Sequence, residues 1–323
     1  MDEKFNLPVI RKSGTVVNTG KQPAKSIPKL DLTKKAQVAS IIKSETSSVA
    51  KEILNREKGL DLVLIGDLTA SMTNYHQLLK EKFATLCNEL FPMIKNLRIG
   101  IIFYLDHYNG TVSSGPANQY ITKFNKLTTN TEELLRFINM AEDGNGYDWD
   151  EAVEDALNDL LNMNWKDSNS RSVVIFGDAS PHNVNECPFR YDFLEITHKL
   201  FDQNTTINSV FCNTQHNIPQ KDLQILENVD VGDFSTRKNF SNEKSPNFFS
   251  WIANVTGGMV IGVEKIDDLV NIIMAAAAKD SGHLDELEEK LKISAPNKLK
   301  LIDIAKKAEQ RRQLGWSNRK LLK

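Results

Sequence analysis

The feature that most constrains the fold is a regular alternation of short apolar runs with amphipathic segments. The runs LDLVLIG, LRIGIIFY, RSVVIFG and TINSVFC are rich in β-branched residues and bounded by polar loops. Continuous apolar runs of this length are typical of strands that are covered on both faces. The segments between them have helical periodicity. The alternation predicts a doubly wound α/β fold, with a mostly parallel central sheet and helices on both faces.

Around this alternation the sequence predicts a four-part organisation. We assign 1–31 to an extended basic arm, because this part mixes Pro, Gly, Ser and Lys without periodicity, and 32–58 to a helical lead-in. The α/β domain is predicted over 59–280, and its polar insertion at 213–245 is either a partner-specificity element or a plain surface loop. A basic helical tail is predicted over 281–323, and it either packs on the domain or docks another protein.

Charge is distributed unevenly, although the whole chain has a formal net charge of only −2. The flanks 1–59 and 290–323 contain 23 of the 40 Lys and Arg but 8 of the 42 Asp and Glu, which leaves 17 basic and 34 acidic residues between them. Such flanks either lie on the acidic core as solvated surface or bind an acidic partner. Nothing in them resembles a nucleic-acid-binding motif, which disfavours nucleic acid as the partner.

Cysteine usage and hydropathy favour a cytoplasmic location. Cys87, Cys187 and Cys212 are odd in number and form no C-x-x-C pair, which argues against a disulfide framework or a zinc ribbon. The start, MDEKFNLPVIRKSG, lacks the apolar stretch of a secretory signal. The run LVNIIMAAAA is shorter than the roughly 20 apolar residues of a spanning helix, so we expect no membrane segment.

Polar loops follow the ends of the predicted strands or open the next helix: GDLTAS, DGNGYDWDEAV and GDASPH. A parallel sheet brings the carboxyl ends of its strands to one edge, where ligands bind. The candidate side chains are Asp67, Thr69, Ser71, Asp148, Asp150 and Asp178. Each alone is explained as a helix N-cap or an Asx turn. Together, carboxylate and hydroxyl oxygens suit Mg²⁺ or Mn²⁺ and suit zinc poorly.

The same loops resemble the von Willebrand factor type A (VWA) family over about 60–280. DLVLIGDLTASM resembles its first strand and metal-site loop, whose pattern is D-x-[ST]-x-S. GNGYDWDEAVEDAL is similar to the G-G-G-D-x-P-E-A-V segment of a bacterial and alpha-kinase-linked branch, and VVIFGDASPH resembles the D-A-x-P-H loop of that branch. FFSWIANVTGGMV resembles the family's usual last helix, glycine pair and last strand.

The resemblance implies a metal-ion-dependent adhesion site for Mg²⁺ or Mn²⁺. The residues that match its motif are Asp67, Thr69, Ser71, Asp148 and Asp178. The second loop of the family usually supplies a threonine where this chain has Asp148, and Asp150 stands where the branch has proline, so the sequence leaves open which of the two faces the ion. His182 is a candidate neighbour of the ion or a partner contact.

An acid in the second loop has an electrostatic consequence. A further carboxylate on the cation lowers its residual positive charge, so a partner's carboxylate is attracted less strongly. We therefore expect weak or metal-only binding, unless the second-loop acid withdraws to a position where water separates it from the ion.

The resemblance implies a non-enzymatic, cytoplasmic module that recruits a protein partner through the cation, the 213–245 insertion or both. Bacterial relatives suggest MoxR-like ATPases or protein kinases of stress or defence systems as partners. The alternative is a haloacid-dehalogenase-like, Mg²⁺-dependent phosphotransferase with Asp67 as nucleophile, since GDLTAS is similar to that nucleophile loop. That family needs a later G-D-x₃₋₄-D, and GDASPHN supplies only its first aspartate. A Ser71–His182–Asp178 hydrolase is disfavoured because no G-x-S-x-G surrounds Ser71.

Overall fold

The computed structural model describes residues 58–111, 120–214, 245–263 and 268–318. All of them belong to one of the two units into which the chain divides, Ser48–Lys323. The predicted arm, all of the lead-in except its last residue, and 215–244 of the predicted insertion lie outside the described residues.

The strands are β1 Leu60–Asp67, β2 Arg98–Tyr104, β3 Thr122–Thr128, β4 Asp150–Glu151, β5 Ser170–Gly177, β6 Ser180–Pro181, β7 Thr205–Cys212 and β8 Val260–Val263. The helices are α1 Thr73–Met93, α2 Thr131–Asn139, α3 Val153–Leu161, α4 Phe193–Asp202, α5 Ser245–Thr256, α6 Leu269–Ser281, α7 Leu284–Ser294 and α8 Leu299–Asn318. Within the described ranges, no helix is long and apolar enough to cross a membrane.

Six strands form the central sheet in the order β3-β2-β1-β5-β7-β8. All neighbours are parallel except β3, which runs antiparallel to β2 at the edge. β1 lies in the middle, with Leu64 opposite Ile101 of β2 and Val174 of β5. Every residue of β1 is buried, as its continuous apolar run predicts. The predicted doubly wound α/β fold is confirmed.

Helices cover both faces of this sheet. Leu62 and Leu64 of β1 belong to a core that they share with α1, α2, α6, α7 and α8. Val63 and Ile65 point to the other face and pack with α3, α4 and α5. This division follows from the pleat of the strand, which sends successive side chains to opposite faces.

The C-terminal tail packs on the domain. Its buried side chains belong to the same core as α1 and α6: Leu284, Leu287, Leu291, Leu301, Ile302, Ala305 and Ala308. Basic residues of the tail also pair with acids of the domain, as in the Lys290–Glu89 and Lys298–Asp268 ion pairs. The described part of the tail therefore packs on the domain, and docking of another protein by the tail stays a prediction.

Local contacts set the starts of two helices. The helix that follows the second polar loop begins only at Val153, because the backbone of Asp150 and Glu151 pairs with Ser180 and Pro181 as the β4–β6 ladder. Helix α2 is capped by Asn130, whose side chain accepts hydrogen bonds from the N–H groups of residues 132 and 133.

Candidate metal centre

The candidate site lies at the carboxyl edge of the sheet, where the strand order reverses on either side of β1. Asp67 ends β1, Asp106 follows β2 and Asp178 follows β5. This is the position at which open α/β sheets bind ligands. The second loop is fastened to the first because the Gly144 N–H donates to the Leu68 carbonyl at 2.9 Å. The sheet topology therefore brings all three predicted loops together.

Asp67 organises the first loop through one of its carboxylate oxygens. Oδ1 accepts hydrogen bonds from the N–H and the hydroxyl of Thr69, both at 2.7 Å. The Thr69 hydroxyl lies 3.3 Å from that of Ser71. Asp67 and Thr69 are buried, whereas Ser71 is exposed. The hydrogen bonds between Thr69 and Asp67, together with the 3₁₀ turn Ala70–Met72 that carries Ser71, thus gather the oxygens of the three residues.

The other oxygen of Asp67, Oδ2, lies at a tightly packed strand end. A Cβ at Gly177 would come within 3.4 Å of Asp67 Oδ2 and within 2.4 Å of the Tyr104 hydroxyl, so this position needs glycine. Asp178 follows directly, half-buried, and accepts a hydrogen bond from the Thr214 hydroxyl. Asp67 Oδ2 has no hydrogen-bond partner in the described part of the chain.

Negative charge accumulates where Asp67, Asp106, Glu151 and Asp178 interact, a group that we call the acidic pocket. Burial, followed by the charge of Asp178, raises the pKa of Asp67 to about 8. Burial, followed by the charges of Asp67, Asp106 and Asp178, raises the pKa of Glu151 well above its ordinary value. Glu151 Oε2 is likewise buried, and none of the described residues bonds to it. Two orphaned carboxylate oxygens amid mutually repelling acids are what a bound cation would satisfy.

The second-loop acids named from the sequence take different positions. Asp148 is exposed; its Oδ1 accepts the Asp150 N–H at 2.9 Å and lies 3.7 Å from His182 Nε2. The close approach of His182 lowers the pKa of Asp148. Asp150 has a buried Oδ1, and burial raises its pKa to about 7. Glu151 is the second-loop acid whose pKa responds to the charges of Asp67 and Asp178.

His182 connects the acidic pocket to helix α3. Its Nε2 lies 3.3 Å from Asp106 Oδ1 and its Nδ1 lies 3.1 Å from Glu154 Oε1. Burial lowers the pKa of His182, but the hydrogen bonds with Asp106, Asp148 and Glu154 outweigh burial and raise it. His182 therefore sits beside the pocket as a cationic neighbour of Asp106.

Sequence reasoning missed Asp106 and Glu151. Asp106 follows the second apolar strand just as Asp67 follows the first, so the strand-end rule could have found it. Its oxygens accept the N–H groups of His107 at 2.6 Å and Tyr147 at 2.5 Å, which ties the second loop to β2. Glu151 carries no comparable signal, since the β4–β6 pairing that places it is a long-range contact.

No family model matches the chain, and no curated protein matches it. Among solved structures, the chain is similar to the pilus adhesin SpaC from Lactobacillus rhamnosus GG in its open conformation. The TM-score is 0.45 and the sequence identity is 11%, and the likeness covers 69% of this chain and 30% of the adhesin chain. The chain thus spans less than a third of the adhesin, and a similarity with so low a TM-score and identity says nothing about function.

Proposed function

We propose that the chain is a non-enzymatic, VWA-type interaction module that binds Mg²⁺ or Mn²⁺ and recruits a protein partner. The observation that carries the proposal is the set of buried carboxylate oxygens that find no partner among the described residues: Asp67 Oδ2, Glu151 Oε2 and Asp150 Oδ1. Leaving charged oxygens buried and unpaired costs several kcal/mol unless a proton or a cation joins them. A divalent cation meets this need with the hard oxygen ligands that it prefers.

Each residue of the proposed site has a distinct task. Asp67, Thr69, Ser71 and Asp178 would hold the cation directly or through water, and Glu151 would add a carboxylate from the second loop. Thr69 fixes Asp67 Oδ1 through two hydrogen bonds, which leaves Oδ2 for the ion. When bound, the cation supplies positive charge where the chain concentrates negative charge.

Access to the pocket favours a binding role over phosphoryl transfer. A nucleophilic aspartate has to meet its substrate, whereas the Asp67 side chain is fully buried. The rim is better suited to a protein surface, since the exposed aromatic residues Tyr108, Trp149 and Phe189 lie in the loops at this edge. A bacterial, cytoplasmic setting and ATPase or kinase partners remain part of the proposal on the strength of the resemblance.

Calorimetric titration with Mg²⁺ tests the cation site. Asp67→Asn keeps an oxygen for Thr69 but removes the charge. We expect it to weaken Mg²⁺ binding by more than about 100-fold, a larger loss than is usual when a residue that only orients a metal ligand is changed. Glu151→Gln should weaken it by about 10-fold or more. Asp148→Asn is the matched control in the same loop, and it should leave the affinity within a few-fold of wild type. Equal affinity in wild type and Asp67→Asn would end the proposal.

A further inference from the structure

A second group of metal-ligating side chains lies behind the acidic pocket. It consists of His107 after β2, Glu154 and Asp155 in the first turn of α3, and Cys187 in the loop before α4. All four are buried, and one ligand atom from each lies within 4.8 Å of the others. His107 Nε2 is 2.9 Å from Asp155 Oδ2 and 3.7 Å from Glu154 Oε1, and Cys187 Sγ is 3.8 Å from Asp155 Oδ2.

The hydrogen bonds of His107 define which of its nitrogens faces the group. Nδ1 lies 3.0 Å from the carbonyl of Thr111, which can only accept, so Nδ1 carries a proton. Nε2 then meets carboxylate oxygens, which also only accept when ionised. Nε2 therefore carries a second proton, accepts a proton from a neutral carboxyl group, or binds a cation. A histidine whose far nitrogen donates to a backbone carbonyl is the usual arrangement of a metal ligand.

We infer that His107, Glu154, Asp155 and Cys187 form a closed, tetrahedral site for Zn²⁺ or a similar transition metal. Imidazole, thiolate and carboxylate are the ligands of zinc, and Mg²⁺ does not favour this set. Four protein ligands with no exposed position define a structural site.

The alternative is a plain ion pair between a charged His107 and Asp155. In the metal-free chain, burial lowers the pKa of His107, but hydrogen bonds with Asp155, Cys187 and Glu154 raise it to about 11. The ion pair accounts for Asp155, and His182 Nδ1 lies 3.1 Å from Glu154 Oε1, yet the Cys187 thiol and both carboxylates still lie within 4.8 Å of His107 Nε2 and of one another. Glu154 is in turn held by the N–H of His182 at 3.1 Å, so this acid also has an orienting partner outside the group.

Replacement of two protons by Zn²⁺ leaves the net charge of the group unchanged. Without metal, the group holds one imidazolium, two carboxylates and a neutral thiol, with a net charge of −1. Binding Zn²⁺ releases the Nε2 proton and the thiol proton to solvent, and the net charge with neutral imidazole and thiolate is again −1. The metal would tie the loop that carries Tyr108 to the loop that carries Phe189, whose ring lies 6.2 Å from that of His107.

Cobalt substitution of the full chain tests the site. We expect Co²⁺ to give tetrahedral visible bands and a near-ultraviolet thiolate charge-transfer band in wild type. Cys187→Ser should lose the charge-transfer band. Cys87→Ser, a buried cysteine of α1 outside the group, is the matched control and should keep it. Asp67→Asn should also keep it, which separates this site from the proposed Mg²⁺ site.

The inference fails if wild type shows no such bands, or if Cys187→Ser retains the charge-transfer band. If Cys187→Ser does not fold by circular dichroism, X-ray absorption of the zinc-loaded wild-type chain decides. One sulfur at about 2.3 Å from the zinc supports the site. A shell of nitrogen and oxygen alone overturns it.

Discussion

Asp67 divides its carboxylate oxygens between two tasks. Oδ1 accepts from the N–H and the hydroxyl of Thr69, which fixes the turn after β1. Oδ2 stays without a partner in the described residues and feels the charges of Asp178 and Asp106. An acid in this position destabilises the fold when it ionises, unless a cation compensates the charge.

The pH dependence of stability follows from this shift. The pKa of Asp67 is about 8 in the folded chain and near 3.8 when unfolded, so between these values the folded chain keeps a proton that the unfolded chain has released. In chelator, stability should therefore fall as pH rises from about 4 to 8. We expect Asp67→Asn to melt at least about 2–4 °C above wild type at pH 7.5, the shift that about 1 kcal/mol produces in a domain of this size. The difference should vanish near pH 4 in thermal circular dichroism.

The exposed acid of the second loop provides the control. The pKa of Asp148 is lowered by His182, so its charge stabilises the fold above its unfolded pKa. Asp148→Asn should therefore melt slightly below wild type at pH 7.5, opposite in sign to Asp67→Asn. If Asp67→Asn instead melts at or below the wild-type temperature in chelator, ionisation of Asp67 does not destabilise the metal-free fold.

The candidate residues differ in how far sequence could predict their positions. Asp67, Thr69, Ser71 and Asp178 follow apolar strands directly, so local pattern and sheet topology were enough to bring them together. Glu151 could not be predicted, because pairing of residues 150–151 with 180–181 decides which second-loop acid turns inward. Periodicity describes neighbours along the chain and contains no information on such contacts.

At the level of elements, the apolar face of the tail could be predicted from the sequence, but the surface against which it packs could not. Leu284, Leu287 and Leu291 predict an apolar stripe on a helix, but a stripe does not name the surface that it covers. The structure places the stripe of α7 in the core shared with α1 and α6. Deleting 290–323 would therefore remove part of this core, and such a deletion cannot test partner binding alone.

A pair of substitutions within α7 measures this packing. Leu287 is buried, so Leu287→Ala should lower the free energy of unfolding by about 2–5 kcal/mol in urea denaturation. Ile293, which lies in the same helix and is 89% exposed, is the matched control, and Ile293→Ala should change stability by less than about 0.5 kcal/mol. Equal stability of Leu287→Ala and wild type would mean that α7 does not pack against α6 and α8 in solution.

For the whole molecule, charge at the site limits the chemistry of a partner. Asp67, Asp106, Glu151 and Asp178 place four acids in one pocket, more than the charge of a divalent cation neutralises when all are ionised. Asp148 lies near His182, but this does not relieve the excess, because Glu151 adds another acid from the same loop. A partner that approaches this edge therefore meets residual negative charge and exposed aromatic rings. Lysine or arginine next to an apolar side chain suits such a surface better than a carboxylate does.

Peptide display on the Mg²⁺-loaded chain tests this expectation without a known partner. We expect selected peptides to be enriched in lysine, arginine and aromatic residues, and their binding to weaken as salt rises. Trp149, 62% exposed beside the site, should act as an anchor, so Trp149→Ser should weaken the selected peptides about tenfold. Phe124→Ser, an exposed aromatic on the edge strand β3, should have no effect. Selection of acidic peptides that require Mg²⁺ would show that the bound cation keeps enough positive charge to attract a carboxylate, contrary to the charge count.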